Sequence, residues 1–329
     1  MNSSTEIQRK PLISILMAIY EPRMDWLKEQ LDSLNKQTYP NIKLYIRDDC
    51  SPTTSFENIK ACVQKCITVF PYEIRRNEKN LGSNGTFEAL TMEAEGEYFA
   101  YCDQDDIWLP QKLTVLQEAI EREGALLVCS DMLIIDGEGK QTADSITALR
   151  HRHKFKSGSN LASQMLISNF VTGCTMLVDA DQARASVPFC PHMVHDHYLA
   201  LWCAEYGKVV SLQDRLIYYR IHASNQTLTM AGVYDKQSYY RIRIEALTQR
   251  LIWLKARFKD RTDLLAEIDA ALKWSKARQR NFEGDFTAKW EVLRSCRFSY
   301  AASMFELALS WAPDRIFMFF IRLVKQNIL

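Results

Sequence analysis

Glycine and proline are scarce in this 329-residue chain, 11 and 9 respectively, which excludes collagen-like and low-complexity architectures. Long apolar runs are missing too: none reaches the roughly 18–20 residues that span a bilayer. Charge of one sign is not in excess. Lys plus Arg number 41 against 40 Asp plus Glu, for a net charge of +1, so no global field draws nucleic acid or an anionic membrane. An anionic ligand must therefore be held locally, by a metal, a few basic side chains or backbone amides. The nine cysteines contain no CxxC pair. Several, such as Cys102 and Cys129, sit inside apolar runs, which indicates reduced, packed thiols and no disulfide framework. The polar start, Met1 to Glu6, lacks the apolar stretch of a signal peptide, and the expected location is the cytoplasm.

What is present reads as an ordinary soluble α/β protein, 47% hydrophobic and 25% charged. The length suits one large α/β domain with an extension, or two modest domains. Short apolar runs alternate with helical stretches from Leu12 to Ser130. Strands are expected at Leu12–Ile19, Ile42–Arg47, Tyr72–Arg75, Tyr98–Cys102 and Ala125–Cys129, with helices at Met24–Lys36, around Ile59–Ile67, at Ser83–Glu95 and at Pro110–Glu121. The alternation predicts a mostly parallel sheet with helices on both faces. Ligands in such sheets bind at the carboxyl ends of strands, where Asp48-Asp49 and Asp103–Asp106 fall. Lys140–Ser159 is polar, without a period, and reads as a mobile loop. Strands return near Cys174–Val178 and Leu216–Ile221. Beyond about Asp235 the pattern is helical, with Leu247, Leu251, Leu254 and Phe258 on one face and Leu265, Ile268 and Leu272 on another. The expected division is residues 1–234 as the α/β domain and 235–329 as a helical region.

The strongest chemical signal is Tyr101-Cys102-Asp103-Gln104-Asp105-Asp106-Ile107-Trp108. Three carboxylates within four residues repel one another unless a cation lies between them. Oxygen ligands of this kind suit Mg²⁺ or Mn²⁺, which also hold substrate phosphates. An acidic turn capping the helix that starts at Pro110 is the plainer account. Asp49, in Arg47-Asp48-Asp49-Cys50-Ser51, can accept hydrogen bonds from a base or ribose, or form an Asx turn with Ser51. Asn80-Leu81-Gly82-Ser83-Asn84-Gly85 allows close backbone approach before a helix N-terminus, a place for a phosphate or sugar. An ordinary capped loop fits it equally well.

Together these segments resemble the family 2 glycosyltransferases, which have the GT-A fold. The matching text is Ile13–Tyr20, Asp48-Asp49-Cys50-Ser51, Asn80-Leu81-Gly82 and Asp103-Gln104-Asp105-Asp106, and the resemblance runs from about Pro11 to Gln226. Thr172–Met176, His195-Asp196-His197-Tyr198 and Tyr219-Arg220-Ile221-His222 are similar to the branch with bacterial rhamnosyltransferases of polysaccharide assembly. The resemblance implies an inverting transfer from a nucleotide-sugar donor, first dTDP-rhamnose and second a UDP-hexose or UDP-N-acetylhexosamine, with Mg²⁺ or Mn²⁺. The acceptor would be a hydroxyl of a surface polysaccharide or a lipid-linked glycan. It further implies that Asp49 contacts the base, Asp103 the ribose or metal, and Asp105 the metal. Asp196 would be the catalytic base, and His222 would touch metal or phosphate. Ile19, Tyr20, Glu21, Asn80, Gly82 and Gln104 would line the donor site, and Gly173, Trp108 and His195 an acceptor or sugar pocket. The family more often has Glu-Asp where this chain has His195-Asp196.

Other chemistries fare worse. Cys190, His192, His195 and His197 are zinc-type ligands, but they crowd into eight residues with no second pair at the usual spacing, and histidines lining an acceptor pocket or packed beside a base are the better account. A nicotinamide enzyme should carry G-x-G-x-x-G after the first strand, where Ala18-Ile19-Tyr20-Glu21-Pro22 stands. The Gly-rich basic loop of a nucleotidyltransferase is missing at the same place. Asp103-x-Asp105 alone does not make an aspartyl phosphatase. A non-catalytic subunit of the same fold is opposed by the intact Asp49, Asp103, Asp105 and Asp196. The helical end is expected to pack on the catalytic domain or form a homo-oligomer. It can also touch a membrane through Trp311, Phe317, Phe319 and Phe320 beside Arg315, Arg322 and Lys325.

Overall fold

A computed structural model describes residues 10–150, 153–222, 230 and 232–325. In chain order the elements are β1 (Ile13–Ile19), α1 (Met24–Leu34), β2 (Ile42–Asp48), α2 (Phe56–Cys66), β3 (Tyr72–Arg76), α3 (Gly82–Glu93), β4 (Tyr98–Cys102), β5 (Ile107–Trp108), α4 (Lys112–Glu123) and β6 (Leu127–Ile135). There follow β7 (Gln141–Ala143), α5 (Ile146–Leu149), α6 (Ala162–Met165), β8 (Met176–Asp179), α7 (Ala180–Ser186), α8 (His195–Tyr206) and β9 (Val209–Arg220). The remainder is helical: α9 (Lys236–Tyr239), α10 (Ala246–Arg257), α11 (Thr262–Phe282), α12 (Ala288–Arg294), α13 (Tyr300–Leu309) and α14 (Asp314–Lys325). The chain divides into two compact units. The first takes the described residues of Met1–Leu161, Phe170–Phe189 and Val194–His222, and the second those of Ala162–Asn169, Cys190–Met193 and Ala223–Leu329.

The first unit is built on one nine-stranded sheet ordered β3-β2-β1-β4-β8-β6-β9-β5, with β7 beside β6. β1 is apolar along almost its whole length and buried on both faces, the pattern of a central parallel strand. It pairs in parallel with β2 on one side and β4 on the other. The strand order therefore reverses at β1, and the crevice beyond the carboxyl ends of β1, β2 and β4 is the place where open α/β sheets take ligands. The sheet is mixed, whereas the strand–helix alternation predicts a mostly parallel one: β8 runs antiparallel to β4 and β6, and β5 antiparallel to β9. Lys140–Ser159, expected to be a mobile loop without periodic structure, contains β7, α5 and a bridge from Gly158 to Val209 among its described residues. α1 buries Trp26, Leu27, Leu31 and Leu34 against the sheet, the face its helical spacing predicts.

The second unit has its own apolar cluster of Val233, Tyr239, Ile244, Phe317 and Ile321. A buried ion pair joins α11 to α13: Arg278 donates to Glu306 at 2.6 and 2.7 Å, and Tyr239 Oη adds a bond to the same carboxylate at 2.8 Å. On α11 Ile268 and Leu272 are buried as expected, while Leu264 is buried and the expected Leu265 only half-buried. Phe317, expected among membrane-facing residues, is fully buried in this cluster, because α14 turns it inward with Ile321 at the (i, i+4) spacing. No helix among the described residues is long and apolar enough to cross a membrane.

Candidate active site

At the end of β1 the chain turns sharply, with Glu21 at φ +45°. Tyr20 and Gln104 are joined by two bonds, Tyr20 N–H to Gln104 Oε1 at 2.8 Å and Gln104 Nε2 to Tyr20 O at 3.0 Å. The turn after β1 is thereby locked to the acidic run after β4, while Ile19 is fully buried. The Glu21 carboxylate accepts the Thr53 hydroxyl and the backbone N–H groups of Thr54 and Thr53, which hold it below the usual range. Ser51 pairs with Asp48 and not with Asp49, donating its backbone N–H at 3.3 Å and its hydroxyl at 2.5 Å to the Asp48 carboxylate. Asp49 is turned the other way. Its carboxylate accepts Asn77 Nδ2 at 2.8 Å, Leu81 N–H at 2.7 Å and Gly82 N–H at 2.9 Å. Asp49 is thus the acceptor at the start of α3, and it folds the Asn80-Leu81-Gly82 turn over the end of β2. Gly82 has φ +71°, a conformation that glycine adopts freely.

The acidic run lies between β4 and β5, against the end of β9. Asp105 Oδ2 and His222 Nε2 are 2.7 Å apart, both partly exposed. Asp106 is fully buried and accepts Arg220 N–H at 2.9 Å. Asp103, Asp106 and Cys174 bring ligand-type atoms within 4.8 Å of one another. Burial, then the charges of Asp105 and Asp196, push the Asp103 carboxyl up to about 7. Burial, then Asp105 and Asp103, push Asp106 well above the carboxylate range. Beneath them lies Lys112, fully buried, its Nζ donating to Cys174 O at 2.5 Å and sitting 3.0 Å from the centre of the Trp108 ring. Burial draws this amine down to about 7. Trp108, expected at a sugar pocket, is 2% exposed in the packed interior under the run. Trp26 closes the side, its ring 4.9 Å from that of His222.

Asp196 stands in the first turn of α8, where a carboxylate complements the helix dipole. Its Oδ2 accepts Gly173 N–H at 3.0 Å. A Cβ on Gly173 would lie 2.8 Å from His195 Nε2 and 3.5 Å from Asp196 Cβ, so only glycine fits between them. His195 is buried against Phe87 and Tyr101, ring centres 4.1 and 5.5 Å away. Burial takes its imidazole down to about 3, and Nε2 has no hydrogen-bond partner among the described residues. His195 is therefore a buried, neutral group packed beside Asp196.

The structure brings Asp103, Asp105, Asp196, Gly173, Gln104, Tyr20 and His222 into one unit around the carboxyl ends of β1 and β4. Asp49, Asn80 and Gly82 form a neighbouring, internally satisfied turn. Sequence reasoning left Arg220, Lys112, Cys174 and Asn77 without roles. Arg220 stood inside a segment already noted for His222, and Lys112 two residues after Pro110, but nothing local announces what either touches. The residues fit a divalent cation. Carboxylate oxygens with one imidazole nitrogen are a donor set for Mn²⁺ or Mg²⁺, and a cation among them would offset the burial and the like charges that raise Asp103.

Comparison with known proteins agrees with this geometry. An uncharacterized glycosyltransferase of Nostoc sp. is 27% identical over 233 residues, covering 68% of this chain and 69% of that protein. The Staphylococcus aureus protein TarS, solved with UDP-GlcNAc, superposes with a TM-score of 0.58 at 15% identity, covering 91% of this chain and 81% of that one. The mannosyltransferase PcManGT of Pyrobaculum calidifontis, solved with GDP-Man and Mn²⁺, gives 0.54 at 12% identity, covering 92% and 86%. The sheet is that of the GT-A glycosyltransferases. The model for glycosyl transferase family 2 matches residues 14–183, just over half of the chain, and the chain belongs to that family.

Proposed function

We propose that this chain transfers a sugar, with inversion, from a nucleoside-diphosphate sugar to an acceptor hydroxyl. The observation that carries the reading is the crowding of acidic groups where β4 and β9 end: Asp105 Oδ2 meets His222 Nε2 at 2.7 Å, Asp103 and Asp106 come within 4.8 Å of each other beside Cys174, and the charge of Asp196 reaches Asp103. Asp196 takes the proton from the attacking hydroxyl, held for this by Gly173 N–H and by the dipole of α8. Direct displacement with one base inverts the anomeric carbon and needs no covalent intermediate. Asp105 and His222, with Asp103 beside them, would hold Mg²⁺ or Mn²⁺. When bound, the cation supplies neutralisation of the charge on the departing diphosphate. Tyr20, Glu21 and Gln104 frame the donor cleft, and Asp49 fixes the Asn80–Gly82 turn beside it. Trp108 and His195 act here through packing.

The first donor proposed is dTDP-rhamnose, on the likeness of Thr172–Met176, His195–Tyr198 and Tyr219–His222 to rhamnosyltransferases. A UDP-N-acetylhexosamine is the second, favoured by the likeness to TarS. The acceptor is a hydroxyl of a surface polysaccharide or lipid-linked glycan, reached from the cytoplasmic side. For a lipid-linked acceptor the second unit offers exposed Trp290, Phe319 and a stacked Phe286–Trp311 pair with Lys289 over both rings, a combination suited to a membrane surface or to a second copy of the chain. Calorimetry with a panel of nucleotide sugars, with Mn²⁺ and then with chelator, tests the reading. Metal-dependent binding of one donor, lost in Asp105→Ala, supports it. Asp196→Asn should bind that donor yet not transfer. Binding of no nucleotide sugar by folded protein would overturn it in favour of a non-catalytic subunit.

A further inference from the structure

We propose that Arg220 is the positioning residue that sets Asp105 and His222 as a pair, an inference that rests on the metal reading above. Arg220 ends β9, is 1% exposed, and holds the acidic run in two ways at once. Its backbone N–H donates to Asp106 Oδ1 at 2.9 Å, and its side-chain Nε donates to the carbonyl of Asp105 at 2.8 Å. The other arms reach away from the site, Nη2 to Glu29 Oε2 at 2.5 Å and Nη1 to the Asp136 carbonyl at 3.3 Å. The guanidinium carbon lies 5.0 Å from the centre of the Trp26 ring, which also packs on His222. Trp26 is fixed in turn by its Nε1 bond to Gly137 O at 3.1 Å.

The consequence is mechanical. Asp105 lies just before β5 and His222 just after β9, so both stand beyond the last paired residues of the β5–β9 ladder, Ile107 with Tyr218. Arg220 joins them, because its side chain fixes the main chain of Asp105 while its own main chain carries His222 two residues on. A buried cation is costly unless it is fully matched, and here Glu29 and two carbonyls match it. Lysine cannot substitute. A single ammonium offers a point charge in place of a planar fork with separate donors for Asp105, Asp136 and Glu29.

Mn²⁺ binding measured by electron paramagnetic resonance, alone and with uridine, guanosine or deoxythymidine diphosphate, tests this on the full chain. Partners that orient metal ligands typically change metal affinity by about 10–100-fold when removed. Arg220→Lys, checked for folding by circular dichroism, should therefore weaken Mn²⁺ by that factor while keeping its charge. Glu29→Gln, at a half-exposed position, should fold as wild type and weaken Mn²⁺ by a smaller factor, because an ion pair becomes a bond from the guanidinium to a neutral acceptor. A merely structural Arg220 would lower the melting temperature and leave the affinity of the folded fraction unchanged. Wild-type Mn²⁺ affinity in folded Arg220→Lys overturns the role. If that variant does not fold, unchanged affinity in Glu29→Gln overturns it. Wild-type protein that binds no Mn²⁺ under any of these conditions overturns the metal reading itself, and this role with it.

Discussion

Gly173→Ala is the smallest change that should disable this protein, and its cost can be worked from the structure. The new methyl would lie 2.8 Å from His195 Nε2, closer than side-chain carbons approach, and the imidazole has Phe87 and Tyr101 on its far side. Overpacking of this kind costs about 1–3 kcal/mol. The backbone shift that relieves it moves Gly173 N–H off Asp196 Oδ2, and a hydrogen bond to a charged group contributes roughly 1.5–3 kcal/mol. Together the loss is about 2.5–6 kcal/mol, or roughly 5–24 °C in melting temperature for a unit of this size. Misplacing a catalytic group by about 1 Å can cost on the order of 100-fold in rate, so transfer should fall by more than the folded fraction does. The assay is thermal unfolding followed by single-turnover transfer, with Gly173→Ala also made in a His195→Ala background. Shrinking His195 opens the space, so the alanine should cost at least about 1 kcal/mol less there, a coupling expected only of residues in contact. Equal costs in both backgrounds, or a Gly173→Ala protein of wild-type stability and rate, would refute the packing argument.

Three further outcomes follow from the same contacts. His195 titrates near 6.5 in the unfolded chain and near 3 when folded, so below pH 6.5 the unfolded state binds the extra proton and stability is lost as pH falls towards 3. At 1.36 kcal/mol per pH unit the loss from pH 6.5 to 4.5 is roughly 3 kcal/mol. His195→Phe should remove it, and parallel denaturation-versus-pH curves for the two proteins would contradict this origin. Asp49→Asn turns an amide NH₂ towards groups that need acceptors, the N–H groups of Leu81 and Gly82 and Asn77 Nδ2. Each donor left unmatched costs about 1–3 kcal/mol, and hydrogen exchange at Leu81 and Gly82 should accelerate; unchanged protection there would count against the cap. In the second unit, Arg278→Met strands Glu306 in the interior and should cost about 3–5 kcal/mol, whereas Arg278→Met with Glu306→Leu should recover most of it. Chemical denaturation measures both, and a double variant no better than the single one would contradict the ion-pair account.

The local pattern of the sequence determined a good deal. Continuous apolar runs at Ile13–Ile19 and Tyr98–Cys102 had to be buried strands, since runs without alternation are stable only when both faces are covered. Trp26, Leu27, Leu31 and Leu34 had to line one side of a helix. Three carboxylates after a strand marked the end of the sheet where chemistry was to be sought, and the motifs with their order gave the family. These signals are legible because each depends on residues within one turn or one strand.

What the tertiary structure decided are the partners. Asp49 became the cap of α3, and its neighbour Asp48 took Ser51, a choice made by the direction in which β2 ends. Arg220 meets Asp105 across 115 residues of sequence and Lys112 meets Cys174 across 62. Both meetings exist only because β9 pairs with β5 and β8 enters between β4 and β6. Burial then set the chemistry of each group: it made His195 a neutral spacer, lowered Lys112 and raised Asp103. The sequence determined which groups carry charge; strand order and the loss of water around them decided which charges meet and in which protonation state they stand.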